Sequence, residues 1–219
     1  MTPLSAINAS LVEFVQSPAF PCVGAKSALK SGTLRSIECG DIGSAAWDAT
    51  ILSALHALPR KSAGLLKFAG LAILFPSTPR LTEEAFEQAL WRRLNALHQL
   101  DAAEFDWDPK FNDDPESPNF GMSFGGRGFY VIGMHPNASR AARRMDCATL
   151  VFNPHSQFEE LRQAGLFDKI KRSVRDRDLK LQNSFNPMLA DHGERSEAAQ
   201  YSGRRVPANW VCPFKRSQN

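Results

Sequence analysis

The chain is 219 residues long, 43% apolar and 22% charged, with a formal net charge of +3. That balance suits a single globular domain able to bury its own core, and the small positive charge gives no argument for nucleic-acid binding. Four scattered cysteines, Cys22, Cys39, Cys147 and Cys212, form no C-x-x-C pair; this excludes a zinc ribbon or thioredoxin-type motif and fits a reducing compartment.

The first segment places Leu4, Ile7, Leu11, Val12 and Val15 near helical spacing, so an amphipathic helix is expected over 4–15, ended by Ser17-Pro18. No basic region followed by an apolar core marks a signal peptide, and the longest apolar run, Phe68 to Pro76, is too short to cross a bilayer; a cytoplasmic location is expected. A short helix near 25–30 and a strand over 33–39 come next. Trp47, Ile51, Ala54, Leu55 and Leu58 share a face of a helix over 45–58, and 65–75 reads as a central strand. The longest helix is expected over 82–100, with Phe86, Leu90, Leu94 and Leu97 as its buried stripe and Glu83 and Glu84 where the helix dipole favours them. The acidic, proline-bearing stretch 105–118 reads as a long surface loop.

Residues 119–124 and 127–133 then form an expected hairpin turned by Gly125-Gly126. Asn137 to Arg144 reads as one or two helical turns, and Leu150-Val-Phe as a short strand. Asn153-Pro154 is expected to cap a helix carrying Phe158, Leu161 and Leu166, followed by a basic helix to about Arg177. From Gln182 periodicity is lost, but Phe185, Tyr201, Trp210 and Phe214 argue for an ordered C-terminal wrap over 182–219 and not a disordered tail. The expected fold is mixed α/β (α+β): one domain over 1–219, with a central, partly antiparallel sheet flanked by helices.

Two stretches carry the chemistry. In Phe129-Tyr-Val-Ile-Gly-Met-His135 a strand ends in a histidine, followed by the arginines Arg140, Arg143 and Arg144. In Leu150-Val-Phe-Asn-Pro-His155 a second strand again ends beside a Pro and a His. The two strand ends are expected to face one pocket, where a histidine and an arginine cluster hold a charged cofactor. Each residue has a plainer reading: His135 bonding a carbonyl, His155 supporting a helix start, Cys212 as a small buried hydrophobe, the arginines solvated. His56 and His98 sit inside expected helices and read as structural. There is no H-E-x-x-H, G-x-S-x-G, P-loop or G-x-G-x-x-G; the glycine-rich 121–128 lies in a hairpin, not at a strand-to-helix turn.

Taken together, Phe20-Pro-Cys22, Gly133-Met-His-Pro-Asn-Ala-Ser-Arg-Ala-Ala-Arg-Arg144, Phe152-Asn-Pro-His-Ser-Gln-Phe-Glu159, Gln182-Asn-Ser-Phe-Asn-Pro-Met188, Gln200-Tyr-Ser-Gly-Arg204 and Trp210-Val-Cys-Pro-Phe214 resemble the YqcI/YcgG family over about residues 18–214. The family includes heme-dependent N-oxygenases, the pre-guanitoxin N-hydroxylase and the arginine hydroxylase of D-cycloserine biosynthesis. The resemblance implies heme b, an iron-dependent oxidoreductase (a monooxygenase) and N-hydroxylation of a guanidine- or amine-bearing amino acid. It implies as partners the amino-acid substrate, dioxygen and an external electron donor. Neither nucleic acid nor membrane is expected, and a homodimer is left open. One departure is Lys215, where many relatives carry a histidine.

Mapped onto this chain, the resemblance makes His135 the first choice of iron ligand, with His155 and Cys212 competing. Arg140, Arg143 and Arg144 become candidates for the heme propionates. Asn153, Asn186 and Tyr201, with Ser202 and Arg204, become candidates to line the side where dioxygen and substrate bind. Asp113, Asp114 and Glu116 would attract a cationic substrate or simply be solvated. The alternatives are a non-catalytic heme- or small-ligand-binding protein and an enzyme of other chemistry that has lost heme.

Overall fold

The computed structural model describes residues 5–60, 64, 66–184, 188 and 193–216. Helices α1 (Ala6–Gln16) and α2 (Val23–Lys30) lead into strand β1 (Leu34–Glu38), and a 3-10 turn at Ala45–Trp47 opens α3 (Asp48–His56). Then come β2 (Gly70–Phe75), α4 (Glu83–Asp101), β3 (Met122–Phe124), β4 (Arg127–Met134), β5 (Ala148–Pro154), α5 (Ser156–Gln163), α6 (Phe167–Gln182) and α7 (Ala198–Tyr201). The strands form one open mixed sheet in the order β1-β2-β5-β4-β3, with β1 parallel to β2 and the other pairs antiparallel.

The local chemistry explains most of these elements. Thr82 caps α4, its hydroxyl accepting from the Ala85 amide at 3.2 Å, and Glu83 and Glu84 fill the first turn. Gly125 and Gly126 both have positive φ, 58° and 67°, the backbone a tight two-residue hairpin turn requires. β2 is buried at every position, as expected of a strand with helices on both faces.

Strand periodicity sorts the sheet into two faces. Leu71, Ile73 and Phe75 of β2, Phe129 and Val131 of β4, and Leu150 and Phe152 of β5 pack with Ile51 and Leu55 of α3 and Phe86, Leu90 and Leu94 of α4. Ala72, Leu74, Ile132, Met134 and Val151 take the other face with Leu11 and Val15 of α1. Helices α2, α5 and α6 meet around Ala28, Phe68 and Leu161.

Two expectations are corrected. Asn153-Pro154 is not a helix cap: both residues belong to β5, paired with Tyr130 and Phe129, and α5 starts at Ser156. Asn137–Arg144 contains a 3-10 turn at Ala141–Arg143 and no α-helical turn. From the C-terminal segment Ala198, Tyr201, Cys212 and Phe214 are buried in the α3/α4 core. Among the described residues no helix is long and apolar enough to cross a membrane.

Candidate functional site

β3 pairs with β4 only as far as Phe129, leaving the edge of β4 beyond it without a strand neighbour. A bare edge must be covered, because its carbonyls and amides need partners. The cover here is α7 and a single guanidinium. Arg143 donates to the carbonyls of Gly133 at 2.9 Å, Tyr201 at 3.1 Å and Gln200 at 3.1 Å, tying the end of β4 to the last turn of α7. It is half-buried, among the described residues it has no salt-bridged carboxylate, and desolvation pulls its pKa down.

α7 straddles this edge. Tyr201 turns to the α4 face, stacked on Trp91 with ring centroids 5.5 Å apart. Gln200 and Glu197 turn to the other face, where a cavity of about 390 Å³ lies between the sheet and helices α1, α2, α5 and α6. That volume is in the range of small-molecule and cofactor sites. Its walls are mainly apolar: Val15, Phe20, Ala72, Ile132, Met134 and Val151 are among them. Cations on the wall come from α5 and α6 and from the segment before α7: Arg162, Lys171, Arg175 and Arg195.

The polar end of the cavity is a connected network. Tyr130 donates to Gln200 Oε1 at 2.9 Å, and burial pushes the Tyr130 phenol up to about 12. Glu197 Oε1 takes a hydrogen bond from His155 Nε2 at 2.9 Å and one from the Tyr201 hydroxyl at 2.5 Å. The same hydroxyl accepts the Met122 amide at 3.2 Å. Asn153 lines the cavity and donates through Nδ2 to the Tyr130 carbonyl at 3.3 Å. Cys22, the residue before α2, also lines the cavity; it accepts the Ala25 amide at 3.4 Å and packs in the cluster that contains Met134. Burial raises its thiol pKa, opposed by the Ala25 and Gly24 amides and by Arg143.

The residues singled out from sequence divide across the sheet. Asn153 and His155 line the cavity, as do Arg140 and Arg143. His135 is not among the lining residues. Just past the end of β4 it continues the parity of Phe129 and Val131, and its ring lies on the α4 face, stacked on Phe86 at 4.4 Å. Its Nδ1 is buried without a partner, and burial lowers its pKa against the pull of Glu83. The expectation that both strand-end histidines face one pocket is therefore corrected: only His155 does.

Cys212 is also on the α4 face, in the core with Phe214, its thiol pushed up to about 12. Tyr201, Ser202 and Arg204 do not line the cavity either. Ser202 Oγ donates to Glu87 at 2.9 Å, and Arg204 pairs with the same buried carboxylate at 2.7 Å. Tyr201 reaches the network through its hydroxyl alone. Asn186 lies outside the described residues.

The arginine cluster is occupied. Arg140 pairs with Asp178 and donates to the Ser184 hydroxyl at 3.0 Å; Arg143 serves the three carbonyls above; Arg144 donates to the carbonyls of Ala138 at 3.1 Å and Ser139 at 3.3 Å. The acidic side chains of the 105–118 loop do not line the cavity. Asp113 pairs with Arg216 at 2.7 Å, Asp114 accepts the Glu116 amide at 3.0 Å, and Glu116 accepts the Cys212 amide at 3.4 Å. Sequence reasoning missed Cys22, Tyr130, Glu197 and Gln200 as wall residues. Strand parity alone would have found Tyr130, since it shares a face with Asn153, its register partner.

Among the described residues no group of three or more His, Cys, Asp and Glu side chains could hold a metal ion by itself. The cavity does fit a flat apolar cofactor with acidic substituents: apolar walls, a sulfur or an imidazole to meet a metal, and cations for carboxylates.

Fold and cavity thus define a mixed α+β domain with a ligand-sized site between its sheet and one helical layer. The sequence profile of the YqcI/YcgG family matches residues 11–215, and the chain belongs to that family. The chain is also 27% identical over 210 residues to the uncharacterized protein YcgG of Bacillus subtilis (strain 168), covering 91% of this chain and 82% of that one. No solved structure matches it.

Proposed function

We propose that the chain is a heme-dependent monooxygenase that N-hydroxylates a guanidine- or amine-bearing amino acid, with the cavity between the sheet and α1, α2, α5 and α6 as its active site. The observation that carries this reading is the cavity's lining: apolar walls, a thiol, a carboxylate network, and basic side chains from α5 and α6. The family's heme-dependent N-oxygenases supply the chemistry that such a cavity would house.

Cys22 is the better placed iron ligand. It precedes the first turn of α2, where backbone amides and Arg143 favour a thiolate once a metal takes the proton's place. His155 is the rival through Nδ1, because its Nε2 is already given to Glu197. Arg162, Lys171, Arg175 and Arg195 would meet the propionates. Heme would supply the redox centre for dioxygen and electrons from an external donor. The chain's own part is to exclude water with the apolar walls and to orient the substrate nitrogen with Glu197, Gln200 and Asn153.

Titrating heme into the purified protein and recording the visible spectrum tests the cofactor. Incubation with arginine-like amines, dioxygen and a reductant, with product identified by mass, then separates an enzyme from a heme-binding protein. Absence of a Soret band under conditions that load a control heme protein would contradict both.

A further inference from the structure

We infer that Glu197 is the specificity-determining residue of the cavity, gripping a cationic group, a guanidinium or amidinium, through its Oε2. The inference rests on the cavity being the substrate site, and it names what that site selects.

Among the described residues two side-chain carboxylates line the cavity: Asp178 and Glu197. Asp178 is consumed by Arg140. Glu197 spends only one oxygen: Oε1 receives both His155 Nε2 and the Tyr201 hydroxyl, and among the described residues no hydrogen bond reaches Oε2. The two donors converge from different elements, β5's end and α7, and fix the rotation of the carboxylate before any ligand arrives. A carboxylate held in an apolar cavity and half compensated is costly to leave unmatched. A ligand cation recovers that cost through a charge-assisted hydrogen bond, and a preset acceptor loses little entropy in making it.

Gln200 gives an independent sign that a ligand belongs here. It is 8% exposed, it lines the cavity one helical turn from Glu197, and its Oε1 is taken by Tyr130, which leaves Nε2 without a partner among the described residues. An amide N–H on a cavity wall is available to an acceptor on a ligand. An acceptor and a donor thus stand side by side, matched to a ligand that carries N–H groups beside an oxygen. The acidic residues Asp113, Asp114 and Glu116, read from sequence as either attracting a cationic substrate or being solvated, are engaged elsewhere.

The test is calorimetric binding of L-arginine, agmatine and L-citrulline to the full chain, with and without heme. Citrulline keeps the shape of arginine and replaces the guanidinium by a neutral urea. Wild type is expected to prefer arginine or agmatine over citrulline by about ten-fold or more, the worth of one charge-assisted hydrogen bond. Glu197→Gln preserves the acceptor for His155 and Tyr201 and removes the charge, so the preference should collapse to about unity. Glu197→Asp should keep the sign of the preference and weaken it; that variant decides the matter if Glu197→Gln does not fold. A purely structural Glu197 would lower thermal stability and leave the arginine-to-citrulline ratio unchanged, which overturns the inference, as does equal or undetectable binding by wild type. A preference that is present in heme-free protein and lost in Glu197→Gln upholds the inference even if no heme binds.

Discussion

Arg143 offers the sharpest test of how the site is held. Its guanidinium joins Gly133, Gln200 and Tyr201 through their carbonyls, at 2.9, 3.1 and 3.1 Å, so it closes the edge of β4 and anchors the short α7 in one stroke. Hydrogen bonds from a charged donor are each worth ~1.5–3 kcal/mol. The desolvation of a half-buried cation, which has no salt-bridged carboxylate among the described residues, runs against them. Arg143→Met keeps most of the side-chain volume, removes the cation and leaves three carbonyls short of a donor; a net loss of about 3 kcal/mol is expected. Arg143→Lys presents a point charge where a planar fork is needed and should lose about half as much. In urea unfolding, with a slope of roughly 2–3 kcal/mol/M for a chain of this size, the midpoint of Arg143→Met should fall by about 1 M at unchanged slope. A loss below about 0.5 kcal/mol, the usual range for a surface substitution, would refute the claim that this residue anchors α7.

Three further outcomes follow from the same coordinates. Gly133→Val should cost roughly 2–3 kcal/mol in urea unfolding, since a Cβ at that position would sit 2.7 Å from Leu90 Cδ1, 2.7 Å from Phe86 Cε1 and 2.9 Å from the Tyr201 carbonyl. Glu87→Ala removes the shared partner of Ser202, Arg204 and Trp210, so it should cost about 3 kcal/mol and open the segment after Ser202 to limited proteolysis. Burial holds the imidazoles of His98 and His135 below the usual histidine range. The unfolded chain therefore takes up those protons first: their contribution is complete above about pH 6.5 and is lost as pH falls below it. Replacing both by Phe should make the fall in urea midpoint between about pH 7.5 and about pH 5 shallower than in wild type.

The fold was largely legible because its elements carry strong periodic signals. The stripe Phe86, Leu90, Leu94 and Leu97 defined α4, and Gly125-Gly126 defined the hairpin. The misreadings came where a local rule met a tertiary contact. Asn153-Pro154 looks like a helix start, but Pro154 closes β5 opposite Phe129, a place where a strand tolerates a residue without an amide hydrogen. Arg140, Arg143 and Arg144 looked like an anion site, yet an anchor for carbonyls across the chain has the same composition. For the candidate site, sequence located the two strand ends but not their facing. Alternation assigns His135 to the side of Phe129 and Val131, whereas Tyr130, Asn153 and His155 share the cavity. Glu197 and Gln200 could not be read at all, since α7 is four residues long and takes its place from Arg143 and Tyr201, not from a pattern of its own.

The most direct test of the account is which face of the sheet receives heme. Heme titrations and ferrous carbonyl spectra of wild type, Cys22→Ser, His155→Ala and His135→Ala decide it. The account predicts that His135→Ala binds heme as wild type does, while Cys22→Ser weakens retention and abolishes a strongly red-shifted carbonyl band characteristic of thiolate ligation. Loss of heme in His135→Ala, with Cys22→Ser and His155→Ala binding normally, would contradict it and move the cofactor to the α4 face.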